Sequence, residues 1–170
     1  RWKRPRRVFV NSMSDLFHGG LSNEQIAAVF GVMAASPRHT FQVLTKRARR
    51  MREGFEWAAG EFTERQRGIA CAPHTFRAML DAAFELLGRP SKQALDAAWH
   101  AHDADLWPLP NVWLGVSTEN QAAADERIPE LLATPAAVRW ISAEPLLGEV
   151  DVVGVAAREM ARAALAADDF

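Results

Sequence analysis

Short apolar runs alternate with amphipathic stretches along this chain, and the alternation predicts repeating strand–helix units. The first run is Arg7-Val8-Phe9-Val10-Asn11. After Gly19-Gly20, Ser22-Asn23-Glu24-Gln25 fits the Ser-x-x-Gln capping box that starts a helix. Ile26, Val29, Phe30 and Met33 recur at helical spacing until Ser36-Pro37 stops them. A second run, Thr40 to Thr45, precedes a basic helix with Met51 and Phe55 as its buried stripe. The third, Asn111 to Ser117, leads to a helix capped near Asn120 and broken or restarted at Pro129. The fourth, Val138 to Ser142, is closed by Glu144-Pro145 and Gly148. Val150 to Val155 reads as a fifth strand and Ala156 to Ala166 as a terminal helix.

Strands joined by helices need crossover connections, which make a parallel sheet with helices covering it. Residues 59–107 interrupt the alternation as a helical insertion, with helices expected at His74 to Leu87 and Ser91 to His102. The expectation is one α/β domain over residues 1–170. An open doubly wound sheet and a partial (β/α) barrel of about four to five parallel units both fit; the partial barrel is preferred. A complete barrel takes roughly 200–250 residues. This chain therefore leaves two sheet edges for the missing barrel portion or for another copy of itself.

Composition narrows the class. Of 170 residues 49% are hydrophobic, enough for a packed core and too many for disorder over most of the length. No stretch approaches the ~18 apolar residues that span a bilayer. Val8-Phe9-Val10, after the basic start, is too short for a secretory core, so a cytoplasmic protein without membrane association is expected. One cysteine, Cys71, excludes an intrachain disulfide and any multi-cysteine metal or iron–sulfur site made by this chain alone. No metal site is expected from the histidines, whose spacing gives no consistent ligand set.

The net charge of −1 hides an asymmetry: residues 1–52 carry +9 and the remainder −10. A basic first third can attract phosphates, so a phosphate- or nucleic-acid-binding module is an alternative function. Pairing of those cations with the acidic remainder is the bland alternative.

Ligands of parallel α/β folds bind at the carboxyl ends of the strands, and all four ends here are polar. They carry Asn11, Ser12, Asp15 and His18; Lys46 and Arg47; Ser117, Glu119 and Asn120; and Ser142 and Glu144. Strand periodicity puts Asn11, Lys46, Ser117, Glu119, Ser142 and Glu144 on one face, where they could converge on one pocket. Each has a structural alternative. Ser14, Asp15, Ser117 and Asn120 suit helix caps. Lys46 and Arg47 open a helix, where positive charge wants either an anionic ligand or carboxylate partners. Arg47, Arg49, Arg50 and Arg52 suit a solvated face, and His18 either an acid/base or an ordinary loop residue. No phosphate-binding glycine loop or nucleophile elbow is present.

Four segments taken in order carry a family resemblance: Val10 to His18, Phe41 to Arg47, Asn111 to Ser117, and Ser142 to Gly148. Over roughly residues 1–152, apart from much of 59–107, the chain resembles a phage and bacterial family of unknown function. Its members look like radical S-adenosylmethionine enzymes built on a (β/α) barrel. The resemblance implies that fuller members carry a three-cysteine motif ahead of this region. Three thiolates would hold a [4Fe–4S] cluster, and its fourth iron would bind S-adenosylmethionine. The present sequence has no such motif, and an alanine-rich tail replaces a glycine- and acid-bearing segment expected beyond Asp151. The implied cofactors therefore belong to full-length relatives, and this chain alone is expected to hold none. It reads as a truncated product, one half of a split barrel, or a non-catalytic interaction scaffold or remnant. Its polar strand ends stay the expected contacts for S-adenosylmethionine or substrate.

Overall fold

A computed structural model describes residues 3–65, 85 and 108–167. Among them four strand–helix units follow one another: β1 (Arg7–Val10), α1 (Asn23–Ala34), β2 (Thr40–Thr45), α2 (Ala48–Arg65), β3 (Val112–Ser117), α3 (Gln121–Ala133), β4 (Val138–Ser142) and α4 (Val152–Ala167). The strands form one parallel sheet in the order β1-β2-β3-β4, so sequence neighbours are also neighbours in space.

Register divides the sheet into two faces. Val8, Phe41 and Val112 lie side by side, as do Val10, Val43, Leu114 and Arg139 one step along. This face meets Phe30 and Met33 of α1 and Met51 and Phe55 of α2 in a single core. Ile141 joins that core and also packs with Ile128 of α3 and Val155 of α4. Each fully buried Phe, Leu or Met contributes about 1.5–3 kcal/mol by leaving water. All four helices thus cover the same face. A doubly wound sheet would place them on both, so the architecture is a partial (β/α) barrel.

The opposite face carries Phe9, Gln42, Leu44, Trp113, Gly115, Val138 and Trp140. It is concave enough for Trp140 of β4 to reach Phe9 of β1, edge to face, with ring centroids 6.2 Å apart. Between them the indole crosses Gly115, where an added Cβ would lie 2.5 Å from the ring. A glycine is required there by the closeness of the ring.

Local signals explain the helix starts. Ser22 Oγ accepts the Gln25 amide at 3.3 Å, and Gln25 Oε1 accepts the Ser22 amide at 2.9 Å, completing the expected capping box. At the far end of the strands, Asn111 donates to the carbonyls of Met33, Ser36 and His39, tying the α1–β2 connection to the start of β3.

Two expectations need correction. Residues 150–155 are not a fifth strand, because helix α4 starts at Val152. Asp151 caps it, accepting the Gly154 amide at 2.7 Å, while Val155 is buried. A short apolar run does not by itself separate strand from helix. Pro129 does not break α3, which runs unbroken from Gln121 to Ala133. The lost hydrogen bond is outweighed by burial of Ile128 and Leu131 on either side. Helix α2 continues to Arg65, into the span where the helical insertion of about 59–107 is expected. The two helices expected at 74–87 and 91–102 lie, save for Glu85, outside the described residues.

Candidate functional site

The carboxyl ends of β1, β2 and β3 surround the site. As β1 ends, Asn11 adopts a left-handed conformation (φ 58°), which asparagine tolerates better than most residues. The chain turns at once, the Ser14 amide donating to the Asn11 carbonyl at 3.2 Å. Asp15 then becomes a hub. Its carboxylate accepts the Thr45 hydroxyl at 2.8 and 2.9 Å, the amides of Phe17 (2.9 Å) and Lys46 (3.2 Å), and the Arg47 guanidinium (2.9 Å). Thr45 Oγ1 in turn accepts the Arg47 amide at 2.9 Å. The loop after β1 is thereby fastened to the loop after β2. Burial alone would raise the Asp15 pKa, but the hydrogen bonds from Thr45, Phe17, Lys46 and Arg47 together hold it below its ordinary value.

A second ionic chain crosses from β2 to β3. Lys46 Nζ lies 3.5 Å from Glu119 Oε1. Glu119 is gripped by Arg127 at 2.8 and 3.3 Å, and Arg127 also donates to the Ser117 carbonyl at 2.9 Å. The Arg127 hydrogen bond is the main cause that lowers the Glu119 pKa. Asn120 caps α3 by accepting the Ala123 amide at 2.9 Å. The loop after β4 folds back over this end, its Leu147 amide donating to the Glu119 carbonyl at 2.8 Å.

These loops enclose an open cavity of about 970 Å³. Asn11, Ser12, Asp15, His18, Lys46, Arg47 and Ser117 all line it. Phe9, Met13, Leu21 and Leu44 give it an apolar wall. Glu119 stands behind Lys46, outside the lining, and Asn120 is occupied as a cap. Ser142 lies beside Ser117 in register, its carbonyl accepting the Thr118 amide at 2.8 Å, and is also outside the lining. Glu144 is exposed and does not reach the cavity.

The acceptors of Asp15 and Glu119 are taken up by these donors, so both carboxylates brace the rim. His18 Nδ1 accepts the Gly20 amide at 3.0 Å, which leaves Nε2 to carry the ring proton. What the cavity offers a ligand is therefore the half-exposed Lys46 ammonium, the Arg47 edge, the hydroxyls of Ser12 and Ser117, and an apolar wall. Among the described residues no cluster of His, Cys, Asp or Glu could hold a metal, and Cys71 lies outside them.

The basic run of α2 is largely paired, on its own surface and with neighbouring elements. Arg49 meets Glu53 at 2.9 Å, Arg52 bridges Glu56 and Glu130, and Arg50 approaches the Leu21 carbonyl at 3.5 Å. Lys3, Arg4 and Arg38 are exposed at the opposite, amino-terminal ends of β1 and β2. The cations of the first third are thus divided between the two ends of the sheet.

Two contributors escaped sequence reasoning. Thr45 looked like one more strand residue, yet its buried hydroxyl joins the two loops. Arg127 sits two helical turns beyond Glu119, with no local signal that it would fold back. No described helix is long and apolar enough to cross a membrane.

A family model described as "Protein of unknown function (DUF5131)" matches residues 1–161. No curated protein and no solved structure matches the chain.

Proposed function

We propose, for a chain that belongs to this family of unknown function, that the rim cavity binds a small nucleoside-type ligand bearing a carboxylate. The ligand named by the radical S-adenosylmethionine resemblance is S-adenosylmethionine itself. The observation that carries the reading is the cavity's composition: Lys46 and Arg47, the hydroxyls of Ser12 and Ser117, and the apolar Phe9 and Leu44 all line it. Lys46 and Arg47 suit an aminoacyl carboxylate, since ammonium and guanidinium groups make charge-assisted hydrogen bonds to carboxylates. Ser12 and Ser117 suit ribose hydroxyls, and the apolar wall suits the flat base.

The iron–sulfur cluster that the resemblance implies does not fit these residues. A [4Fe–4S] centre needs three thiolates and this sequence holds one cysteine. The activity assigned to these residues is binding and orientation, with no radical step attached to them. Calorimetric titration of the chain with S-adenosylmethionine tests the reading. Saturable binding that weakens about tenfold in Lys46→Ala, the loss of one charged hydrogen bond, is expected. Absence of saturable binding, or binding indifferent to Lys46, would overturn it.

A further inference from the structure

His18 lines the rim cavity and takes no part in holding the proposed nucleoside. Its loop is fixed on both sides of the ring. Leu16 and Phe17, just before it, are buried in the core. The His18 amide donates to the Asp15 carbonyl at 3.1 Å, and the His18 carbonyl accepts the Leu21 amide at 2.9 Å. The Gly20 amide donates to Nδ1 at 3.0 Å. An added Cβ at Gly20 would lie 3.2 Å from Nδ1, so the glycine lets its amide come this close to the ring. That bond occupies the Nδ1 lone pair and leaves the neutral imidazole a single donor, Nε2–H. Asp15 also holds Arg47, accepting Nη1 at 2.9 Å, and is the one acceptor that this guanidinium meets among the described residues. Asp15 thus carries the backbone of the histidine and the head of the arginine together.

We infer that His18 and Arg47 form an oxyanion subsite within the cavity, which takes the phosphate of a phosphorylated small-molecule substrate. Both groups can only donate, one through a neutral N–H and the other through a charged fork. They stand on different loops, after β1 and after β2, and reach the cavity from separate walls. A phosphate monoester presents oxygens in three directions to such donors, where a carboxylate presents two in one plane. The carboxylates nearby do not repel it. Asp15 and Glu119 are engaged by their own donors, and these two anions face three cations, Lys46, Arg47 and Arg127, leaving one net positive charge. Space is sufficient, since about 970 Å³ lies near the top of the ~300–1,000 Å³ of small-ligand sites and leaves room for a second molecule beside a nucleoside. Phosphate occupancy needs no nucleoside, so either ligand can bind without the other.

Long-range proton–nitrogen NMR of the full chain tests it at about pH 8, where an ordinary imidazole is neutral. The His18 ring is assigned by its disappearance in His18→Asn. Nδ1 should be the bare nitrogen and Nε2 the protonated one, and inorganic phosphate should shift Nε2 saturably, with acetate at the same concentration failing to compete. His18→Asn keeps an oxygen where Nδ1 accepts the Gly20 amide but has no donor at the Nε2 position. It should keep the parent's urea midpoint and weaken phosphate about tenfold, the loss of one hydrogen bond to a charged group. A ring protonated at Nδ1, a parent chain without saturable phosphate binding, competition by acetate, or undiminished binding in His18→Asn would each overturn the inference. Phosphate binding without S-adenosylmethionine binding would uphold this subsite and overturn the nucleoside reading alone, and the converse would overturn this subsite alone.

Discussion

Asp15 and Thr45 hold each other across two loops that are 30 residues apart in sequence, the hydroxyl lying 2.8 and 2.9 Å from the two carboxylate oxygens. The same carboxylate collects two amides and the Arg47 guanidinium, so one side chain fixes both walls of the cavity. Asp15→Asn exchanges acceptors for an amide that faces donors, and should cost about 1.5–3 kcal/mol in urea denaturation. Thr45→Val should cost less. A double-mutant cycle should show coupling of about 1 kcal/mol, since the two groups act as a unit.

Acid should weaken the fold through the same groups. Asp15 and Glu119 both titrate below their ordinary values of 3.8 and 4.5 in the folded chain. In acid the unfolded chain therefore binds more protons. The stability contributed by these groups is complete above the ordinary values and is lost as pH falls through the lowered folded ones. Urea midpoints measured from about pH 6 down to about pH 3 should fall, with a shallower slope in Asp15→Asn. An unchanged slope in that variant would count against the hub.

Gly115 and Trp140 make a sharper packing test. A methyl at Gly115 meets the indole at 2.5 Å, and the ring is confined between β3 and Phe9. Gly115→Ala should destabilise by roughly 1–3 kcal/mol. In a Trp140→Leu background the same change should be nearly neutral. Equal cost in both backgrounds would mean that the ring does not lie where the concave face requires it.

Lys46 separates binding from stability. Its side chain is 54% exposed and its contact to Glu119 is long at 3.5 Å, so Lys46→Ala should alter stability by less than about 1 kcal/mol. Ligand affinity should nevertheless drop. A parallel loss of both would make Lys46 a structural residue.

Much of this arrangement was legible beforehand, for identifiable reasons. The four strands announced themselves by short β-rich runs with polar ends, and Ser22 and Gln25 announced α1 by their reciprocal capping. Strand periodicity puts Asn11, Lys46, Ser117, Glu119, Ser142 and Glu144 on one face, and the first three of these line the cavity. It could not say that Glu144 lies in a loop that folds back over the end of β3, because periodicity ends where the strand ends. Nor could it find the Thr45 hydroxyl or Arg127, whose roles depend on contacts far along the chain. The Val150–Val155 run fits strand and helix alike in sequence, and the capping bond from the Gly154 amide to Asp151 is visible only in three dimensions.

Backbone hydrogen exchange with and without S-adenosylmethionine tests most directly whether the strand ends form the binding site. Added protection should concentrate in residues 11–18 and 44–47, the two loops joined by Asp15. Protection confined to the amino-terminal strand ends near Lys3 to Arg7, or none at all, would contradict a binding site at this rim.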